Sequence, residues 1–304
     1  MEQRRRVGAY GVCRDRTGRV LLVRGSDRAE YPGVWQLPGG GLEHGEHPEA
    51  GALREFAEET GLAVEVTGLL AAVADVTPLP GAGIELHTDR IVFAVQVSGG
   101  ALRDEADGTS DLVRWSSIEE AAGLPLMPFT AEALGLPVTP LRRPAPGAAP
   151  RAPYPPPAAD RRQRFAAYGL VTDPAGRVLL TMIADGYPGA GRWHLPGGGT
   201  DHGEQPAGGL LRELVEEAGQ LGRVMELLMV HNLHNPAALG PEGRPLDWHG
   251  VRVVYRVQVE NPTEARVTEL AGGSTAAAAW FPPDRLEGLP MTEVAALATG
   301  HHVV

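Results

Sequence analysis

The run "QLPGGGLEHGEHPEAGALREFAEETGL", Gln36 to Leu62, sets five glutamates after Glu43 behind three glycines. A second run, "HLPGGGTDHGEQPAGGLLRELVEEAGQ" from His194 to Gln220, repeats the arrangement. Outward from these stretches, Tyr10 and Tyr168, Trp35 and Trp193, Gly40 and Gly198, Glu46 and Glu204, and Arg54 and Arg212 are all 158 residues apart. A constant offset over such a span marks an internal duplication. Farther on, Trp115 and Trp280 are 165 apart, so seven residues enter the second copy, assigned to a loop region over His231–Asp247.

Two copies in 304 residues predict two domains, 1–136 and 161–304. Between them, Leu136 to Asp160 holds nine prolines, which remove backbone donors and favour extended polyproline II. Residues 137–160 are therefore expected to form a semi-rigid linker, with a PxxP ligand as the weaker reading. The formal charge is −11 and all 27 basic residues are arginine. Lysine is absent, which excludes Schiff-base chemistry, and the acidic balance argues against a nucleic-acid partner. No run of 18 apolar residues suggests a membrane span. The N-terminus carries charge without an apolar region behind it, so no signal peptide is read. Cys13 is the only cysteine. It rules out an internal disulfide and a multi-cysteine zinc site, fits a reducing cytoplasm, and reads as a buried small hydrophobe.

Each copy opens with apolar runs around an Asp/Gly turn, read as a hairpin, followed by the glycine-rich loop. Pro48 and Pro206 suit the first turn of a helix, and Gly61 and Gly219 suit its C-terminal end. Strands follow at "RIVFAVQV" and "VRVVYRVQV", then a final helical segment after Trp115 or Trp280. The alternation predicts a mixed α/β sandwich in each half.

On a helix, Glu55, Glu58 and Glu59 fall at i, i+3 and i+4 and share a face. Leu53, Phe56 and Ala57 are expected about 200° away, anchoring the helix on a sheet. In the second copy Glu213, Glu216 and Glu217 oppose Leu211, Leu214, Val215 and Ala218. Like charges at this spacing repel by a few tenths of a kcal/mol per pair. A solvated acidic face is the bland reading. The recurrence of the cluster after a glycine loop favours a hard divalent cation, Mg²⁺ or Mn²⁺, which turns repulsion into coordination and lets a polyphosphate approach.

The spacing G-x5-E-x7-R-E-U-x-E-E-x-G-U, with U bulky and apolar, resembles the Nudix hydrolase signature. Gly40, Glu46, Arg54, Glu55, Phe56, Glu58, Glu59, Gly61 and Leu62 fill it. Gly198, Glu204, Arg212, Glu213, Leu214, Glu216, Glu217 and Gly219 fill it again, with Gln220 in place of the last apolar residue. The resemblance implies an α/β/α sandwich in each half and cleavage of a diphosphate linked to a moiety X. It implies that Gly40, Glu55, Glu58 and Glu59 hold the metal while Arg54 and Glu46 orient them. Gly198, Glu213, Glu216 and Glu217, with Arg212 and Glu204, do the same in the second half. Glu58 or Glu59, and Glu216 or Glu217, are the expected water-orienting bases.

Substrate contacts are expected at Arg24, whose counterpart is Met182, at Gly39, Gly41 and Gly197, and at Trp35 and Trp193, for which core packing is the competing reading. His44 and His202 recur in the box loop, near phosphates or in loop hydrogen bonds. His231, His234 and His249 read as solvated loop groups, with a third metal site or a substrate contact as the alternative. Gln220, and Gly208 and Gly209 in the early helix, point to unequal sites with the first better equipped. The function expected is metal-dependent hydrolysis of a nucleoside-diphosphate-X. Alternatives are a metabolite-sensing protein on the same fold, a hybrid with only the first site working, and, more remotely, a diphosphate isomerase. X (a triphosphate, nucleotide sugar, dinucleotide or ADP-ribose) stays open, as do homodimerisation and pairing of the halves.

Overall fold

The computed structural model describes residues 1–105, 108–141, 158, 160–239, 244–268 and 273–300. Most of the proline-rich linker lies outside these residues. The chain forms two compact units, Met1–Gln163 with Asn232–His249, and Arg164–His231 with Gly250–Val304. No helix is long and apolar enough to cross a membrane among the described residues.

The first unit runs β1 (Glu2–Cys13), β2 (Val20–Gly25), β3 (Trp35–Gln36), β4 (Gly39–Gly41), α1 (Pro48–Thr60), β5 (Leu62–Leu79), β6 (Ile84–Gly100), β7 (Ser110–Ser116), α2 (Ile118–Ala122) and α3 (Pro128–Ala133). One sheet has the order β4-β1-β6-β5 and another β3-β2-β7. β1 pairs parallel with β6 and antiparallel with β4, and β5 and β6 form an antiparallel hairpin. The result is a mixed α/β fold. The opening hairpin is not a regular one: both edges of β1 are taken by β4 and β6, so β2 leaves for the second sheet after a single bridge between Arg14 and Val20.

The elements of the second half are β8 (Arg161–Thr172), β9 (Val178–Ile183), β10 (Trp193–His194), β11 (Gly197–Gly199), α4 (Pro206–Ala218), β12 (Arg223–Leu239), β13 (Pro245–Gln258), β14 (Thr275–Phe281) and α5 (Glu293–Thr299). Their strands join one sheet of order β10-β9-β8-β13-β12, with β11 on β8 and β14 on β9. The described part of the His231–Asp247 region, assigned to a loop from sequence, is mostly strand instead. His231 to Leu239 lie in β12 and Pro245 to Asp247 in β13, which pair with each other, while residues 240–243 lie outside the described residues.

Helix α1 begins as its sequence dictates, with Pro48 in the first turn and the His47 side chain accepting from the Glu49 N–H. It ends at Gly61, whose φ of 71° is the left-handed cap that glycine adopts without penalty. The face it buries differs from the expected one. Phe56 and Ala52 are buried, with Glu59 and Thr60 beside them, whereas Leu53 is 37% exposed and Ala57 is exposed. The cause is Gly11 of β1, where a Cβ would sit 2.4 Å from the Phe56 ring. The missing side chain is the socket for Phe56, and docking there turns Glu59 inward. In α4 the same rotation buries Leu210, Leu214 and Ala218 with Glu217 and leaves Val215 exposed.

Two local predictions follow from packing. A Cβ on Gly208, inside α4, would meet nothing, while one on Gly209 would lie 2.8 Å from the Glu204 carboxylate. Gly208→Ala is expected to stabilise the second half by up to about 1 kcal/mol in chemical denaturation, and Gly209→Ala to give no gain. Cys13 is fully buried, and burial pushes its thiol up to about 11. The native chain should therefore resist thiol reagents at neutral pH and react stoichiometrically once unfolded.

Candidate active site

Each box is organised around its arginine. Arg54 Nε donates to Glu46 Oε1 at 2.8 Å and Nη2 to Glu46 Oε2 at 2.9 Å. Nη2 also donates to the Gly41 carbonyl at 3.0 Å, and Nη1 to Glu55 at 2.9 Å and Glu58 at 3.2 Å. Arg212 reproduces the set with Glu204, Gly199, Glu213 and Glu216, at 3.0 to 3.3 Å. A guanidinium is suited to this because its donors lie in one rigid plane.

The third glutamate points elsewhere. Glu59 Oε2 accepts from the Gly39 N–H at 2.9 Å and Oε1 from Ser110 Oγ at 2.5 Å. Glu217 likewise accepts from the Gly197 N–H at 2.9 Å and from Thr275. Burial pushes Glu59 up to about 8 against the pull of those hydrogen bonds. Burial also raises Glu55, with Arg54 opposing it and Glu58 and Glu105 adding to it.

The glycines hold their places for steric reasons. Gly39 has φ +138°, and a Cβ there would lie 2.3 Å from the Ala9 carbonyl. A Cβ on Gly40 would lie 2.6 Å from Glu55 Oε2, and one on Gly198 2.7 Å from Glu213 Oε1. The register of Ala9 against Gly40 fixes this strand beside the helix. Gly39, Gly40, Gly41 and Glu55 form one side of a cavity of about 310 Å³. Arg6, Arg28 and Arg90 line it too, with Tyr31 and Gln36. Arg90 is 1% exposed, pairs with Asp75 at 2.5 Å and lies 4.6 Å from the Phe129 ring centroid. Among the described residues its Nε has no hydrogen-bond partner.

The substrate contacts expected from sequence divide. Gly39 and Gly41 line the cavity. Arg24 does not: Asp111 holds it in a two-pronged pair at 2.8 and 3.1 Å. Trp35 packs in the core with Tyr10, Phe129 and Met127, because its backbone bridges to Leu126 and Arg114 covers its ring. Trp193 packs edge-on to Phe281, 4.7 Å between centroids. Gly197 is buried against the Ala167 carbonyl. The loop histidines are not uniformly solvated. His249 is fully buried, and burial lowers it to about 4. His231 is 8% exposed and stands 3.7 Å from Glu293.

The second site is the more crowded. A Cβ on Gly199 would collide with the Arg164 guanidinium, whereas one on Gly41 meets nothing. His194 stands where the first copy has Gln36 and packs at a tilt against Tyr168, 4.6 Å between centroids. Ser110, Arg90 and Glu105 are the site neighbours that local spacing missed. Ser110 and Glu105 stand far along the chain from the box and carry no local mark. Arg90 left one trace, an arginine at the head of the mostly apolar run RIVFAVQV, which lies in the middle of β6.

A family model for the NUDIX domain matches residues 2–135 and again 162–299. The chain belongs to the NUDIX family. A "MutT-like protein" of Streptomyces ambofaciens is 37% identical over 116 residues, 38% of this chain and 66% of that protein. An "RNA pyrophosphohydrolase" of Dinoroseobacter shibae is 47% identical over 64 residues, 21% of this chain and 39% of that protein. The chain thus spans less than two thirds of the length of these relatives. A "MutT NUDIX hydrolase" structure from Burkholderia pseudomallei is 28% identical with a TM-score of 0.37, covering 46% of this chain and 98% of its own. The last position of the second Nudix box departs from the motif without leaving a defect. Gln220 is buried, its amide donates to the Ala218 carbonyl and Thr263, and its oxygen accepts from the Thr263 N–H.

Proposed function

We infer that the protein is a metal-dependent pyrophosphohydrolase acting on the diphosphate of a nucleoside-diphosphate derivative, and that the first Nudix site carries most of the turnover. The observation that carries this reading is the cavity in which the glycine strand and Glu55 face Arg6, Arg28 and Arg90. Carboxylates alone would repel a diphosphate. Arginines on the same cavity supply phosphate ligands, and an ion on the glutamates removes the repulsion.

The donor set fits a hard cation, since it is all oxygen. Glu55 and Glu58 share one Arg54 nitrogen, and the Gly40 backbone lies against Glu55. Glu59 fits only after turning away from Gly39 and Ser110. Gly40, Glu55, Glu58 and Glu59 would hold Mg²⁺ or Mn²⁺ in the first site, and Gly198, Glu213, Glu216 and Glu217 in the second. A bound ion of this kind polarises phosphoryl oxygens and lowers the pKa of water.

The remaining work falls to the chain itself. Arg54 and Glu46 fix the carboxylate rotamers. Glu58, half-exposed, is better placed than buried Glu59 to orient an attacking water. Arg90, buried against Asp75 and Phe129, adds positive charge to the wall of the cavity. Products from a panel of nucleoside triphosphates, nucleotide sugars, dinucleotides and ADP-ribose, assayed with Mg²⁺ and with chelator, test the reading. Cleavage between phosphates that stops with chelator is expected. Turnover of none of them, alongside binding of one, would replace it with a ligand-sensing role.

A further inference from the structure

We propose that His44, His234 and Asp247 form a binding site for one borderline divalent cation, Zn²⁺ foremost, separate from the box carboxylates. Among the described residues, these three are the group of His, Cys, Asp and Glu side chains whose ligand atoms converge within 4.8 Å of one another. The box glutamates, held apart by Arg54 and by Gly39 and Ser110, do not converge in this way. His234 Nε2 lies 2.8 Å and His44 Nε2 3.1 Å from the same oxygen, Asp247 Oδ1. Tetrahedral zinc, with bonds of about 2.0–2.1 Å, spaces its ligand atoms by about 3.3 Å. Both imidazole nitrogens stand near that spacing from Asp247 Oδ1, and all three ligand atoms lie within 4.8 Å of one another.

A shared hydrogen bond explains only one of the two contacts. His234 and Asp247 make it. His44 Nε2 is buried 3.1 Å from Asp247 Oδ1, close enough to help His234 pull that carboxyl down, but among the described residues it has no partner in line for a regular hydrogen bond. A ring nitrogen enclosed beside a carboxylate, yet out of line with it, suits an ion between them better than a proton.

The surroundings are also built. His249 lies behind the pair, its ring 5.5 Å from that of His44. Both its nitrogens are engaged, by Gln163 and by Asn232, which leaves the outer two rings as ligands. Asn232 donates in turn to the Gly45 carbonyl at 3.4 Å. Gly45 has φ +83°, and a Cβ there would lie 2.7 Å from the His234 ring. The glycine thus lets the histidine close onto the loop. Arg161, 3.5 Å from Asp247 Oδ2, binds the other carboxylate oxygen and leaves Oδ1 to the cation. Nitrogen with oxygen ligands prefers Zn²⁺ over Mg²⁺, so the two sites differ in selectivity. The three ligands leave a fourth position for water. A cation here would pin the β12–β13 tip to the loop that carries Glu46.

Titration calorimetry of Zn²⁺ into the tag-free, chelator-stripped full chain, in excess Mg²⁺, tests the proposal. One site per chain is expected, weakened about 100-fold or more by His234→Ala or Asp247→Asn and unchanged in the Glu58→Gln/Glu216→Gln double variant. Zn²⁺ should raise the denaturation midpoint of the native sequence but not of His234→Ala, and His44→Gln serves if that variant does not fold. Zinc binding equal in all variants, lost only with the glutamates, or absent altogether would overturn the proposal.

Discussion

Glu58→Gln is expected to lower kcat on the chain's best phosphoanhydride substrate by at least about 100-fold, and Glu216→Gln by no more than about twofold. The first substitution removes a charge that the proposed ion and the attacking water both need, while keeping the shape and the Arg54 contact at Glu55. The second strikes a box whose arginine network is just as complete. The difference comes from access: Arg164 presses on Gly199 and His194 packs against Tyr168, whereas Gly41 borders the arginine-lined cavity. Equal losses from the two variants would show both halves turning over. A loss confined to Glu216→Gln would reverse the assignment.

Arg54→Ala is expected to abolish measurable turnover and to cost about 1–3 kcal/mol of stability. Five donor contacts end on that guanidinium, four of them on carboxylates. Its removal leaves Glu55 and Glu46 facing each other in a half-buried place. Arg54→Lys keeps the charge but not the planar fork, so it should recover much of the stability and little of the kcat. Urea denaturation beside steady-state kinetics separates the two effects. If Lys restored both, the arginine would be acting as charge alone, and the orienting role of the fork would fall.

The part of this architecture written locally in the chain was legible. Spacing located the box, the proline and glycine that bound α1, the duplication and the burial of Cys13. What local spacing could not foresee depended on partners far away. The inward turn of Glu59 is decided by Gly11 and Ser110, and helical spacing alone cannot know that a socket exists opposite Phe56. Trp35 is drawn to the core by Leu126 and Met127. Arg24 is claimed by Asp111, 87 residues on. The insertion read as a loop because histidine, asparagine and proline interrupt its apolar pattern, yet pairing of β12 with β13 supplies the order those residues lack. Gln220 looked like a lost apolar contact, and the Thr263 backbone supplies the partner that makes it neutral.

The tip of the β12–β13 hairpin is counted with the first compact unit although it is encoded some 70 residues beyond the linker. Cutting the gene at the proline-rich stretch would therefore not yield a faithful N-terminal half. Such a fragment would present the box loop without Asn232, His234 and Asp247, and its behaviour would report on that amputation as much as on the enzyme.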